Sequence, residues 1–298
     1  MIHGIINVYK EKGYTSHDVV AKLRGILQQK KIGHTGTLDP DAEGVLPVCL
    51  GKATKLCDML TETDKTYQTV LLLGRTTDTQ DVSGTVLEEQ PVDCTIKDVY
   101  EAIQSFVGDY QQVPPMYSAL KVDGKKLYEL AREGKEVERK PRFVKIHQIL
   151  IHEIKLPRVS MTVFCSKGTY IRTLCHDIGQ KLECGGCMEE LLRTQVGRFQ
   201  LEDSLKLQEI EVLADLSQIQ EHVTPIDQMF GEYPAVTITE EARKLLENGN
   251  SFYRRQIQKQ VKLSADTSVR VYDPEGRFSA VYQFRERENR FLPVKMFR

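Results

Sequence analysis

The stretch GHTGTLDPDAEGVLPVCLGKATKL, Gly33 to Leu56, packs glycines, a histidine and an aspartate into a short polar loop that runs into the apolar segment Val45 to Leu50. Gly33 and Gly36 permit positive φ, so the backbone can turn sharply there and approach a ligand closely. Pro40 fixes its own φ and drives Asp39 towards an extended conformation. The pattern predicts a carboxylate held at a loop apex instead of on a helix face. On spacing alone, Asp39-Pro40 is a turn dipeptide and nothing more.

Working outward, Ile5 to Tyr9 reads as a strand. Thr15 or Ser16 can cap a helix with Val19, Val20, Leu23, Ile26 and Leu27 on one face, closed by Lys30 and Lys31 at the negative end of its dipole. Lys52 to Leu60 reads as a short helix, Lys65 to Gly74 and Thr85 to Leu87 as strands, and Ile96 to Val107 as an amphipathic helix. Phe143 to Ile154 and Arg158 to Cys165 form two strands, the second alternating through Val159, Met161, Val163 and Cys165. SKGTYIRTLCHDIGQKLECGG predicts a turn and then a helix with Ile171, Leu174, Ile178 and Leu182 inward, ended by Gly185-Gly186. Met188 to Val196 is expected to be a short helix with Leu191 and Leu192 turned inward. Past an acidic connector, Tyr233 to Ile238 reads as a strand and Thr239 to Glu247 as a helix. Short strands follow around Lys262, Val269 to Tyr272, Phe278 to Phe284 and Phe291 to Val294, with turns at Asp273 to Gly276 and near Asn289.

GHTGTLDPDAEGVLPVCLGKATK resembles the catalytic motif of the TruB family of tRNA pseudouridine synthases, in which the Asp before Pro is the essential nucleophile. Three further stretches are similar to the family: KTY at Lys65 to Tyr67, PPMYSALKVDGKKLYELAR from Pro114, and KGTYIRTL from Lys167. The resemblance implies an α+β fold, with a mixed, mainly antiparallel central sheet flanked by helices over residues 1–232. Residues 233–298 would then form a small β-rich, PUA-like RNA-binding domain. It further implies Asp39, Tyr67 and Arg172 as catalytic residues, and His34, Tyr170, Leu191 and Lys10 as substrate-binding residues. Tyr67 and Tyr170 would pack on the target base, Leu191 would touch the uracil, and Arg172 would keep Asp39 ionised against desolvation. The family's Lys-Pro pair near the start is here Lys10-Glu11. The implied reaction converts the T-loop uridine of tRNA at position 55 to pseudouridine, with tRNA as partner and no cofactor or metal.

Composition fits this. The chain has 298 residues, 40% hydrophobic and 28% charged, enough for a core and an appendage. The net charge of −1 hides a division. Glu202 to Glu232 carries eight acids against Lys206 alone, whereas Ala235 to Arg298 has thirteen bases and eight acids. A second basic zone, Lys121, Lys125, Lys126, Arg132, Lys135, Arg139, Lys140 and Arg142, is interleaved with Tyr117 and Tyr128 and suits phosphate contacts. Seven cysteines without framework spacing indicate reduced thiols, and Cys184-Gly-Gly-Cys187 lacks the second close pair of a zinc site. Without an apolar run of membrane length or a signal-peptide pattern, the expectation is a cytoplasmic monomer. Two other readings compete. A non-catalytic RNA-binding or RNA-folding protein on the same scaffold could dispense with Asp39, Tyr67 or Arg172, and all three stand. An unrelated carboxylate hydrolase would need a second acid at a comparable motif, and Asp41 and Glu43 lie too close along the loop to face Asp39 across a substrate.

Overall fold

Apolar side chains on both faces of Gly4–Lys10 (β1) set it inside a sheet, with Ile6 and Val8 in one core and Ile5 in another. The computed structural model of the chain describes residues 1–118, 120–122 and 124–297, and the side chains of Lys121 and Lys126 from the basic zone lie outside what is described. Thr15 accepts from the Asp18 N–H while the Asp18 carboxylate accepts from the Thr15 N–H, a capping box that starts helix α1 (Ser16–Ile26). The same box between Thr95 and Asp98 starts α2 (Ile96–Gln104). Helix α3 is Ile171–Lys181 and α4 is Leu207–Asp215.

The remaining strands of the large sheet are β2 (Ile32–His34), β3 (Glu43–Leu50), β4 (Lys65–Leu73), β5 (Gly108–Gln112), β6 (Arg142–Lys155), β7 (Arg158–Cys165), β8 (Gly186–Val196) and β9 (Val223–Thr224). Their order is β9-β1-β3-β8-β4-β7-β6-β5, with β2 on β3 and Phe199–Gln200 on β8. Every pairing is antiparallel except β3 with β8, so the sheet is mixed and mainly antiparallel, as expected. Helices α2 and α3 cover one core, which contains Leu38, Tyr67, Val99, Ile146, Val163 and Leu174. Helices α1 and α4 cover a second core at the β1–β3 end.

Several expectations need correction. Met188 to Val196 is not a helix but most of β8, a central strand with β4 on one side and β3 on the other. Register shifts at Met188/Glu190 and Arg193/Gln195 break its alternation, and the adjacent Leu191 and Leu192 then imitate a helical face. Gly33 is an extended residue of β2, where a Cβ would stand 3.1 Å from Cys57 Sγ; its smallness serves packing, not a turn. The acidic stretch 202–232 is no connector: Leu207, Ile210, Ile219 and Val223 bury themselves on β1, and its acids are exposed except Asp227, which accepts from the Tyr272 hydroxyl at 2.8 Å. No strand forms around Lys262, because Arg254 holds Gln260 and Val261 O in a compact loop.

Residues from 235 onward build a second, five-stranded sheet: β10 (Ala235–Thr237), β11 (Phe252–Tyr253), β12 (Ser268–Tyr272), β13 (Phe278–Arg285) and β14 (Arg290–Met296), in the order β10-β12-β13-β14-β11. It has its own core around Phe252, Tyr282, Phe284 and Phe291. Val281, Phe297 and Phe278 dock it against Phe230, Ile226 and Leu56.

The parallel junction of β3 and β8 depends on Gly44, whose φ is +105° and whose added Cβ would fall 2.2 Å from Arg193 O. Gly44→Ala is therefore expected to lower stability by about 3 kcal/mol or more, through φ strain and overpacking together. Urea unfolding of the two proteins measures it, and an unchanged midpoint would contradict the assigned junction.

Candidate active site

Asp39 sits where expected, at the apex of the loop between β2 and β3. Asp39 O accepts from Ala42 N at 3.1 Å, a turn with Pro40 in its second position. Gly36 has φ +92°. On the loop's inner side Leu38 is buried, and its N–H donates to Ser16 Oγ at 2.9 Å. Beneath it runs Lys10. This side chain was expected to meet substrate, but it is fully buried and donates to Glu11 O at 3.1 Å, Pro40 O at 3.1 Å and Ala42 O at 2.5 Å. Burial lowers its ammonium to about 8. It fastens the Asp39-Pro40 turn from below, and a proline at position 11 is not needed for that.

Arg172, in the first turn of α3, meets Asp39 side-on: Nε lies 3.0 Å from Oδ2 and Nη2 3.3 Å from Oδ1. Nη2 also donates to Tyr117 O at 2.9 Å, and Nη1 donates to Thr79 O at 3.1 Å and to Asp81 Oδ2 at 3.4 Å. Four hydrogen bonds engage Nη1 and Nη2, and the ion pair with Asp39 engages the Nε side, so the guanidinium is held from three directions. Its role is to aim Asp39. The Arg172 side chain is 6% exposed whereas that of Asp39 is 39% exposed, so the carboxylate is reachable and its anchor is not. Burial raises the Asp39 carboxyl above its ordinary value; Arg172 first and Lys10 second pull against that rise, and Asp81 adds to it.

Tyr67 is buried on β4, and burial pushes its hydroxyl up to about 12. Across the ladder its partner is Arg193 of β8, and the next pair on the same face is Thr69 with Leu191; paired residues share a face, so Leu191, Arg193 and Tyr67 all lie on the side of α3 and Leu38. Leu191 thus reaches the site from a strand. Arg193 is 1% exposed, donates from Nε to Val45 O at 2.7 Å, and leaves Nη2 without a hydrogen-bond partner among the described residues. Lys65 is buried nearby and donates to Thr61 O and Thr63 O.

Tyr170, the residue before α3, is half-buried; burial raises its hydroxyl, and Asp39 pushes it in the same direction. His34 stands on β2 with its ring edge-on to His17 at 5.1 Å, and burial keeps it below the usual imidazole value. Neither touches the Asp39–Arg172 pair by a hydrogen bond. Sequence reasoning passed over Asp81, Arg193, Lys65 and Gln112. Arg193 follows Leu191 by two in LLRTQVG and shares its face, which a strand reading would have shown. Among the described residues no three His, Cys, Asp or Glu side chains are grouped to hold a metal ion. No helix among them is long and apolar enough to cross a membrane.

With this geometry in place, comparison with known proteins is informative. Residues 24–171 match the N-terminal domain of the TruB family pseudouridylate synthases, and residues 172–231 match the tRNA pseudouridylate synthase B C-terminal domain. The chain is 52% identical to tRNA pseudouridine synthase B of Lachnoclostridium phytofermentans, covering 99% of this chain and 100% of that one. It is 46% identical to the protein of the same name from Clostridium kluyveri, over 99% of both. Among solved structures, it is similar to one of a Cbf5-Nop10-Gar1 complex (TM-score 0.71, 27% identity, 99% of this chain and 85% of that chain). It is also similar to one of an H/ACA RNP bound to a substrate RNA containing 2′-deoxyuridine (TM-score 0.70, 25% identity, 99% and 85%).

A carboxyl raised by folding favours the folded state when protonated. That contribution is complete below the unfolded pKa and is lost as pH rises through the raised folded value. Asp39→Asn, which cannot ionise, should therefore melt above the native protein at pH 7.5, with the gap closing as pH falls. Calorimetry across that range checks it; a native protein that melts higher at pH 7.5 would mean that Arg172 outweighs burial.

Proposed function

Because the chain belongs to the TruB family of pseudouridylate synthases, we propose that it isomerises the T-loop uridine of tRNA at position 55 to pseudouridine, with Asp39 as the attacking or charge-stabilising carboxylate. The reaction breaks the C1′–N1 bond of uridine, turns the uracil and joins C1′ to C5; C5 loses a proton and N1 gains one. Nothing is oxidised and no group is donated, so no cofactor or metal is required. A carboxylate at an electron-poor ribose carbon is the need that this shares with glycoside cleavage. The observation that carries the reading is the side-on Asp39–Arg172 pair, with its carboxylate open to solvent and its guanidinium sealed.

A base inside an RNA stem-loop must leave its stack before C1′ can be reached. Tyr67 then lies against the uracil, where an aromatic face contributes about 1–3 kcal/mol of stacking. Leu191 bounds the same space from β8, Tyr170 borders it from α3, and His34 fills the gap left in the loop or braces the loop itself. Lys10 serves by fixing the turn. Exposed Lys140 and Arg142, together with the basic residues from 235 onward, supply phosphate contacts, the latter from a PUA-like domain over 233–298. The protein acts as a monomer in the cytoplasm.

An unmodified T-arm stem-loop tests this. The native protein should place pseudouridine at the target, and Asp39→Asn should form none while its stem-loop Kd changes less than about threefold. If the Tyr67 hydroxyl also moves a proton during rejoining at C5, Tyr67→Phe should lower the single-turnover rate about 100-fold with binding retained, the worth of a positioned proton carrier. Full turnover by Tyr67→Phe would leave Tyr67 a stacking role only, and turnover by Asp39→Asn would end the reading.

A further inference from the structure

Helix α3 begins without a side-chain cap. Its N-cap residue, Tyr170, has extended backbone (φ −98°, ψ 109°) and supplies no capping group. The polar groups of that residue's backbone are held instead by one side chain from the edge of the sheet. Gln112 Nε2 donates to Tyr170 O at 3.0 Å, and the Tyr170 N–H donates to Gln112 Oε1 at 2.9 Å. Gln112 is 1% exposed, so these bonds are shielded from water. The Leu174 N–H donates to the same Tyr170 carbonyl at 3.1 Å, so the first turn of α3 closes on a group that Gln112 fixes.

The strand grips the helix a second time. Tyr110 stands two residues before Gln112 on β5, hence on the same face, and its hydroxyl donates to the Asp177 carboxylate farther along α3. Beyond β5 the chain passes Pro114-Pro115 to Tyr117, whose carbonyl accepts from Arg172 Nη2 at 2.9 Å. One short segment, 110–117, therefore holds the start of the helix, its middle, and the guanidinium that the helix carries.

We propose that Gln112 is a positioning residue for the reaction: by binding both the N–H and the C=O of Tyr170 it fixes where α3 begins, and so where Arg172, two residues on, meets Asp39. The four hydrogen bonds of Arg172 tolerate little displacement, since hydrogen bonds weaken steeply with distance and angle. A helix start free to shift would cost Asp39 its aim before it cost the fold its core. This inference rests on the reading of Arg172 as the partner that orients Asp39.

Gln112→Met keeps the shape and removes both bonds. With the T-arm stem-loop at saturation, the single-turnover rate should fall about 10- to 100-fold, the scale of a small misplacement in a site. Stem-loop Kd should stay within about threefold. The acid limb of the pH–rate profile should move to higher pH, because a displaced Arg172 no longer opposes the rise of Asp39; a purely structural residue would leave that limb in place. In an Arg172→Lys background, Gln112→Met should cost far less than it does alone. Gln112→Glu retains the acceptor for the Tyr170 N–H and should fall between, and it carries the test if Gln112→Met does not fold. Native rate and acid limb in either variant, or an equal loss with and without Arg172→Lys, would overturn the proposal. Native turnover by Arg172→Lys itself would instead overturn the reading of Arg172.

Discussion

One sealed guanidinium, held by four hydrogen bonds and paired with two carboxylates, is the constraint around which this site is built. Taking Arg172 out of water costs several kcal/mol unless its bonds are replaced. They are replaced by two carboxylates and two backbone carbonyls drawn from Asp39, Asp81, Thr79 and Tyr117. Asp81 is itself pinned, its Oδ1 accepting from Thr79 Oγ1, Ser83 N and Ser83 Oγ, so the guanidinium cannot rotate to favour one partner. Asp39 inherits that rigidity through two side-on contacts and still keeps an open face. A lysine, with one point charge on a flexible stem, could not reproduce this arrangement.

The surroundings explain how a carboxylate can be partly buried and still ionise. Lys10, Lys65 and Arg193 are buried cations near the loop that donate to backbone carbonyls and to no carboxylate among the described residues. A cation bound to carbonyls keeps most of its long-range field, whereas one bound to a carboxylate cancels it. Burial lowers the pKa of each of the three, so the arrangement carries a cost in stability. Lys10 and Arg193 nonetheless keep a positive field beside Asp39, effective because the interior screens it weakly. Spacing charges this way is a device of function, not of folding.

How much of this could be read from the chain depended on the range of the interactions. The helices at Thr15 and Thr95 are written locally, each by a capping box within four residues, and the Asp39 turn by its proline. Strand β8 is not, because its two bulges erase the alternation that marks a strand and its pairing partners lie about 120 and 150 residues away. The same distance hides Lys10, Gln112 and Arg193. Each looks ordinary in its own segment and acquires meaning only by satisfying the backbone of another, 30, 58 and 148 residues off. Resemblance supplied Tyr67, Arg172 and Leu191 without saying why Leu191 should face Tyr67; the strand register says why.

The division of charge finds its sense in the sheet. The acids Glu209, Glu211 and Asp215 of α4 are exposed beside β1, while Lys140 and Arg142 are exposed where the basic segment rejoins the sheet at β5. Six strand spacings from β1 to β5 put the two about 30 Å apart, well beyond a Debye length at physiological salt. At that distance the two charged surfaces are screened from one another. Asp39 hangs from β2 and β3, one strand in from β1. The 235–298 unit, basic in sum, is not held apart in this way: Asp227 accepts from the Tyr272 hydroxyl where that unit docks. The net charge near zero thus comes from acids and bases that are separated across the sheet and adjacent at the junction.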